Sequence, residues 1–132
     1  MCAWNQLTSL DVSQNTLLTR LECYNNQLTT LDVSNTTALI TLYCDNNQLT
    51  SLDVSQNTAL TYLRCYNNQL TSLDVRNGNN TNFNFFQADN NPNLYCIDVD
   101  DPVYSSANWV NVDPWSAFST NCLLAGCMDT LA

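Results

Sequence analysis

The chain has 132 residues, which is the length of one ordinary domain. It carries 12 acidic residues against three arginines, with no lysine and no histidine, and its formal net charge at pH 7 is −9. This balance argues against nucleic acid as a partner, because phosphate binding requires a basic surface. We also expect no membrane insertion, since the sequence has no apolar run long enough to cross a bilayer.

A fixed period of 21 residues runs through the first half of the chain. The segments that start at Leu21, Leu42 and Leu63 repeat the pattern Leu-x-Cys-x-Asn-Asn-Gln-Leu. Two ladders keep this spacing: the cysteines Cys2, Cys23, Cys44 and Cys65, and the asparagines Asn5, Asn26, Asn47 and Asn68. The period predicts a solenoid, in which each repeat forms one coil and buries its apolar side against neighbouring coils. Met1 takes the place of Glu22, so the chain is expected to begin within a repeat, as a fragment or a processed product would.

Apolar and polar residues alternate around the repeated cysteine. Leu21 and Cys23 are expected to face the core, and Glu22 and Tyr24 to face solvent. Because successive coils run in the same direction, these segments should form a parallel sheet with about 4.8 Å between neighbouring strands. The Leu-Asp-Val segments at residues 10–12, 31–33, 52–54 and 73–75 predict a second, shorter stack of strands on the opposite side.

The asparagine and cysteine ladders are interpreted as structural. A buried Asn side chain satisfies backbone N–H and C=O groups where the chain turns. At the second bend we expect the same role for Asn15 and Asn57, with Thr36 and Gly78 at the matching positions. The repeated cysteines fit small buried side chains in a leucine position. A metal site or a chain of disulfides is the alternative, but the ladder lacks C-x-x-C spacing and its stacked Cβ atoms should point in parallel.

An aspartate ladder accompanies the second stack of strands, at Asp11, Asp32, Asp53 and Asp74. Carboxylates one coil apart repel each other, so an offsetting interaction is expected. Hydrogen bonds from the flanking serine, threonine and backbone groups are the favoured interpretation. Calcium bridging between coils is the weaker alternative, because hard oxygen ligands in a row suit that ion.

The regular period ends after Asp74, and an irregular last coil at residues 91–99 follows a two-residue insertion. Two Asp-Pro pairs, at Asp101 and Asp113, each have the form of an N-cap followed by proline in the first turn. They predict short helical segments at residues 103–108 and 115–119.

The aromatic residues of this region predict a cap. Trp109, Trp115 and Phe118 are large enough to cover the exposed end of a solenoid, which terminal repeats require. Cys96 and Cys122 bracket the segment, so we expect them to form a disulfide.

The repeat also carries a family resemblance. Residues 18–28 match the leucine-rich repeat pattern L-x-x-L-x-L-x-x-N/C-x-L, with Cys23 in a leucine position. The chain therefore resembles the short, helix-free bacterial leucine-rich repeats of about 21 residues. This resemblance implies a mainly β, right-handed solenoid with a parallel sheet, little or no helix in the repeats, and short helical segments in a C-terminal cap. The expected organisation is a solenoid at residues 1–99, a cap at 100–122, and a linker with the truncated start of a following module at 123–132.

The C-terminal third resembles secreted proteins of one bacterial phylum. The stretch from Asn91 to Cys122 is similar to the C-terminal cap of secreted leucine-rich repeat proteins from Bacteroidota, and residues 126–129 are similar to the opening of the Gly-Cys-x-Asp modules that follow such caps. The resemblance implies a secreted or cell-surface location, with the signal peptide outside this chain. Thr130, in Asp-Thr-Leu, also fits the site where that phylum attaches O-glycans.

The variable positions of the repeat carry the functional hypothesis. The sequence has no histidine, no lysine, no nucleophile elbow and no phosphate loop, so we expect no enzyme. Tyrosine and arginine, which are enriched in binding hot spots, recur at outward positions of the main sheet. The candidate ligand-binding residues are Arg20, Glu22, Tyr24, Tyr43, Asp45, Tyr62, Arg64 and Tyr66. Cross-strand pairs that only stabilise the sheet are the alternative interpretation of these residues.

These observations predict a non-enzymatic recognition or adhesion module that binds protein or glycan and needs no cofactor, with calcium as the exception named above. The alternative is a structural protein that self-associates into fibres or a surface layer through its open N-terminal coil. The bulky cap at the other end opposes simple end-to-end stacking.

Overall fold

A computed structural model describes residues 1–124, and short parallel strands are its main regular elements. The strands in chain order are β1 (Arg20–Glu22), β2 (Thr41–Tyr43), β3 (Ser51–Asp53), β4 (Tyr62–Arg64), β5 (Ser72–Asp74), β6 (Phe85–Gln87), β7 (Cys96–Asp98) and β8 (Ala117–Ser119). One 3-10 turn at Asn80–Asn82 and one α-helix, α1 (Pro102–Asn108), complete the described elements. No helix among these residues is long and apolar enough to span a membrane.

The strands form two parallel sheets on opposite sides of each coil. The main sheet has the order β1-β2-β4-β6, and the second sheet has the order β3-β5-β7-β8. In the main sheet Leu21 pairs with Leu42, Leu42 with Leu63, and Leu63 with Phe86. This register preserves the 21-residue period through the regular coils and absorbs the two-residue insertion before β6. The structure thus confirms the predicted mainly β, parallel solenoid with very little helix.

The core lies between the two sheets and consists of the repeated apolar columns. Its fully buried members include Leu28, Leu42, Leu49, Leu63, Leu70, Cys23, Cys44, Cys65, Val54 and Val75. Each three-residue strand is too short to be stable alone, so its stability comes from the coils above and below it.

A buried asparagine closes the turn that follows each main-sheet strand. The amide nitrogen of Asn47 donates to the carbonyl of Cys44 in its own coil, at 3.1 Å, and of Cys23 in the preceding coil, at 3.0 Å. Its amide oxygen accepts from the backbone N–H of Leu28, at 3.0 Å. The same three bonds recur at Asn26, Asn68 and Asn91. The predicted structural role of this ladder is confirmed for its buried members, whereas Asn5 is exposed.

The second bend differs in part from the expectation. Asn57 is fully buried and its amide donates to the carbonyls of Val33 and Thr36, as predicted. Asn15, by contrast, is exposed. At Gly78 the backbone has a φ of +75°, a conformation that glycine adopts without strain. The hydrogen bonds expected at that position come instead from two buried neighbours, Asn77 and Asn80.

Three predicted segments are wrong. Residues 10–12 and 31–33 are not strands, and the second sheet begins only at β3. At residue 33 the backbone carbonyl accepts side-chain donors from Asn57 and Thr36. Residues 115–119 do not form a helix, because Ala117–Ser119 pairs in parallel with β7 as strand β8. A five-residue segment gains more from these ladder bonds than from one unfavourable helical turn.

The cap extends both sheets and covers the core with aromatic rings. Asp101 caps α1 by accepting from the N–H groups of Val103 and Tyr104, and Pro102 begins the helix, as the sequence predicts. Trp109 is 5% exposed and stacks on Phe86 with a centroid distance of 4.1 Å.

The predicted disulfide is also confirmed, with the Cα atoms of Cys96 and Cys122 5.8 Å apart. The predicted start of a following module, at 123–132, lies mostly outside the described residues, since 125–132 are not described; Thr130 is among these. The domain boundaries stay predictions.

We predict that Asn47→Ala lowers the free energy of unfolding by about 3 kcal/mol, because it leaves three buried backbone groups without their partner. Urea denaturation followed by circular dichroism measures the loss. Asn5→Ala is the matched control, since Asn5 stands at the same repeat position but is exposed, and it should change stability by less than about 0.5 kcal/mol. Equal losses in the two variants would contradict the structural role of the buried ladder.

Candidate functional site

The candidate ligand-binding residues lie on and beside the outer surface of the main sheet. Glu22, Tyr43 and Arg64 are register partners at the ends of β1, β2 and β4. We name the set the Tyr/Arg face, and its members are Arg20, Glu22, Tyr24, Tyr43, Asp45, Tyr62, Arg64 and Tyr66. The structure brings most of them into one cluster.

Arg64 is the centre of this cluster. The carbon of its guanidinium lies 4.7 Å from the ring centroid of Tyr43, 5.4 Å from that of Tyr66 and 5.7 Å from that of Tyr24. One terminal nitrogen of Arg64 also donates to the hydroxyl of Tyr66, at 3.2 Å. A cation that contacts three aromatic rings is held in one orientation, and the rings are held with it.

Asp45 is the counter-ion of Arg64 and corrects one expectation. Its side chain is 0% exposed, although the sequence predicts that it faces solvent. A terminal nitrogen of Arg64 donates to Oδ2 of Asp45 at 3.1 Å, and the amide of Asn46 donates to the same oxygen at 2.8 Å. The alternation of strand β2 ends at Tyr43, so it does not govern the direction of residue 45. Oδ1 of Asp45 is buried without a hydrogen-bond partner.

A second ion pair lies at the edge of the face. Nε of Arg20 donates to Oε1 of Glu22 at 2.6 Å, and the guanidinium of Arg20 lies 5.5 Å from the ring centroid of Tyr43. The arginine side chain is 59% exposed, so solvent screens this pair much more than the Arg64–Asp45 pair.

Tyr62 stands apart from the cluster. It is half-buried and pairs in register with Thr41 on one side and Phe85 on the other. Thr41 is buried, although it is the register partner of the exposed Arg20. Within residues 1–124 no ring contact or ion pair joins Tyr62 to Arg64.

Trp4 extends the face and is absent from the sequence-based candidates. Its ring meets the ring of Tyr24 edge to face, with centroids 6.3 Å apart, and the residue is 75% exposed. Its backbone φ is +60°, a left-handed conformation that costs a bulky residue about 1–2 kcal/mol. The sequence did carry a signal for Trp4. Residue 4 stands 21 positions before Asn25, and among the corresponding positions of the repeats it alone is not an asparagine.

The aspartate ladder shows the local hydrogen bonding that was the favoured interpretation. Asp11, Asp32 and Asp53 each accept from the backbone N–H two residues later. Hydrogen bonds from Ser13 and Ser34 hold the pKa values of Asp11 and Asp32 below their ordinary value. Within residues 1–124 no three His, Cys, Asp or Glu side chains are grouped so that they could hold a metal ion. Calcium binding at this ladder stays a prediction.

The repeated cysteines are free thiols inside the core. Cys23, Cys44 and Cys65 are 0% exposed, and Cys2 is partly exposed. Burial raises the pKa of Cys23 to about 12 and raises the pKa values of Cys44 and Cys65 well above their ordinary value. The three buried thiols, Cys23, Cys44 and Cys65, therefore stay protonated and unreactive, in agreement with their interpretation as small apolar side chains.

The parallel coils, the leucine columns and the asparagine turns define the chain as a leucine-rich repeat solenoid, a fold that is typically non-enzymatic. A solved structure similar to it is the functional domain of InlJ from Listeria monocytogenes, which includes a cysteine ladder. The two chains are 44% identical, with a TM-score of 0.64; the match covers 75% of this chain and 24% of the InlJ chain. The present chain thus spans about a quarter of that length. No family model and no curated protein matched.

We predict that Arg64→Ala lowers the free energy of unfolding by about 3 kcal/mol, because it leaves the carboxylate of Asp45 buried without its counter-ion. Arg20→Ala is the matched control and should cost less than about 1 kcal/mol, since its ion pair is exposed. Urea denaturation at neutral pH measures both. Adding Asp45→Asn to Arg64→Ala should recover part of the loss; no recovery would contradict the buried-charge explanation.

Stability should fall in alkaline solution because of the buried thiols. Their folded-state pKa values lie above the ordinary value of 9.0, so above about pH 9 the unfolded chain loses protons that the folded chain keeps. The unfolding free energy should then decrease by up to about 1.4 kcal/mol per pH unit for each thiol. Urea midpoints between pH 8 and 11 test this, and Cys44→Ala should reduce the slope. An identical slope in the variant would overturn the assignment to the thiols.

Proposed function

We propose that this chain is a non-enzymatic recognition or adhesion module that binds a protein or glycan ligand through the Tyr/Arg face. The observation that carries the proposal is the position of Arg64, which a buried carboxylate fixes among three tyrosine rings. Tyrosine and arginine are the residues most enriched in binding hot spots.

The rigidity of the cluster favours binding rather than packing alone. A side chain that is already ordered loses little conformational entropy when a ligand arrives, so more of the contact energy appears as affinity. Tyr24, Tyr43 and Tyr66 all keep part of their surface open to solvent. Residues that served only to stabilise the sheet would not need this combination of fixed geometry and exposure.

We further propose a secreted or cell-surface location. The Cys96–Cys122 disulfide supports it, because such bonds persist in oxidising compartments and are rare in the cytosol. The four free cysteines of the ladder are compatible with it, since three of them are buried beyond the reach of solvent oxidants. The Bacteroidota source and glycosylation at Thr130 stay predictions.

Self-association is a second candidate, favoured by one observation. The coil formed by the first residues exposes apolar side chains, with Met1 95% and Leu17 87% exposed and Leu7, Leu10 and Leu18 only partly buried. Fibres or a concentration-dependent rise in mass during analytical ultracentrifugation would favour this candidate. The aromatic cap at the opposite end opposes open-ended stacking of identical copies.

We predict that a ligand identified on printed protein and glycan arrays loses at least tenfold in affinity with Tyr24→Ala. The loss follows from removing a half-buried ring that lies against Arg64 and keeps part of its surface open to solvent. Tyr95→Ala is the control, because Tyr95 is an exposed tyrosine next to the second sheet and outside the Tyr/Arg face, and the affinity of this variant should be unchanged. Melting curves of both variants establish that they fold. An equal loss of affinity in the two variants would rule out the Tyr/Arg face as the binding surface.

A further inference from the structure

One repeat position has a left-handed backbone in every coil, and asparagine occupies it in all coils but the first, which has Trp4. The column consists of Asn25, Asn46, Asn67 and Asn90, all with φ between +54° and +57°, and of Trp4 at +60°. Asparagine tolerates this conformation because its short polar side chain forms local hydrogen bonds, whereas tryptophan does not.

Three asparagines of the column, Asn46, Asn67 and Asn90, are joined by side-chain hydrogen bonds. Asn90 donates from its side-chain amide to Asn67 at 3.0 Å, and Asn67 donates to Asn46 in the same way. Trp4 takes no part in this ladder and is 75% exposed, so burial within this chain does not compensate its strained backbone. A strained and exposed aromatic residue beside a candidate site is the kind of feature that function retains.

Polar groups lie near Tyr24, the neighbour of Trp4, since the guanidinium carbon of Arg64 is 5.7 Å from the Tyr24 ring centroid. Arg64 uses one terminal nitrogen for Asp45 and Tyr66, and within residues 1–124 its Nε and its other terminal nitrogen have no hydrogen-bond partner. Oε2 of Glu22 likewise has none in that range. The face therefore offers unused donors against the ring of Tyr24 and an unused acceptor two residues before it in the chain.

The charges of the face cancel in pairs. Arg20 is paired with Glu22, and Arg64 with Asp45. A charged ligand would find no uncompensated partner here, and the formal charge of −9 on the whole chain further disfavours an anion. Complementarity thus favours an uncharged ligand that both donates and accepts hydrogen bonds and has an apolar surface to place on a ring.

We propose that Trp4 is the stacking platform of a subsite for an uncharged saccharide, with the nearly perpendicular ring of Tyr24 as its side wall. The hydroxyl groups of the saccharide would bond to Arg64 and Glu22. Hydroxyls are at once donors and acceptors, which matches the unused atoms of these two side chains. The inference rests on the proposed recognition function of the Tyr/Arg face and specifies its ligand class.

Affinity gel electrophoresis tests the subsite with named probes. The charge of −9 makes the native chain migrate readily, and binding to a polysaccharide cast into the gel retards it. Laminarin, glucomannan and xyloglucan are the neutral probes; alginate and polygalacturonate are the acidic ones. We expect retardation by at least one neutral probe, weakened about tenfold by Trp4→Asn and by Tyr24→Ala. Trp115→Ala, at an exposed tryptophan of the cap, should leave it unchanged.

The same variants separate folding from binding. Trp4→Asn should raise the melting temperature by about 2–5 °C, because asparagine relieves the strained backbone. Weaker retardation in a more stable variant therefore reports a lost contact, not a lost fold. A lower melting temperature of Trp4→Asn than of the parent chain would show that the backbone at Trp4 is not strained, and it would contradict the proposal.

The other outcomes overturn the inference in distinguishable ways. Retardation by none of the neutral probes, by the acidic probes alone, or to the same extent in Trp4→Asn and the parent chain contradicts the saccharide subsite. If an arrayed protein then binds and Tyr24→Ala abolishes its binding, the recognition function stands with a protein as ligand. If no probe or arrayed molecule responds to Tyr24→Ala, both the subsite and the proposed function fail.

Discussion

The buried asparagine amide at each turn is the interaction on which the stack depends. One side chain satisfies carbonyl groups of two successive coils and the N–H of a third segment, so it joins coils where the strands alone are too short to do so. Its burial removes the competition of water, and the loss of the side chain would leave backbone groups that nothing else can reach. The leucine and cysteine columns supply apolar burial, but the asparagines fix the spacing at which that burial occurs.

The requirement for identical columns leaves few positions at which the sequence can vary. On the main sheet these positions hold Arg64 and its tyrosine neighbours, and the structure gives them two tasks at once. Arg64 neutralises a buried carboxylate, which is structural, and orders the surrounding rings, which prepares a surface. Stability and recognition are therefore coupled in Arg64. Recognition can be tested separately only at outer side chains such as Tyr24.

The period alone predicted the solenoid, the buried ladders and the side of the sheet that varies, because each repeat must satisfy the same packing as its neighbour. Prediction failed where the local environment outweighs the pattern. Asp45 lies beyond the end of its strand and turns inward toward Arg64, and residues 117–119 follow an Asp-Pro signal but complete a sheet edge. The leucine and cysteine pattern does not predict the role of Trp4, because its signal lies in the left-handed backbone that this repeat position requires.

The direction of the asparagine bonds also implies an order of assembly. Each amide reaches back to the preceding coil, so the turn of a coil that emerges during synthesis is completed only when the next coil has been made. The series runs from Asn26 to Asn91, and the final step uses a different group: the carboxylate of Asp113 accepts from the N–H groups of Asn90 and Asn91, at 2.9 and 2.8 Å. Folding during synthesis would thus proceed from the N-terminal coil toward the C-terminus, one coil behind the emerging chain. The hydrogen bonds of Asp113 complete the last turn.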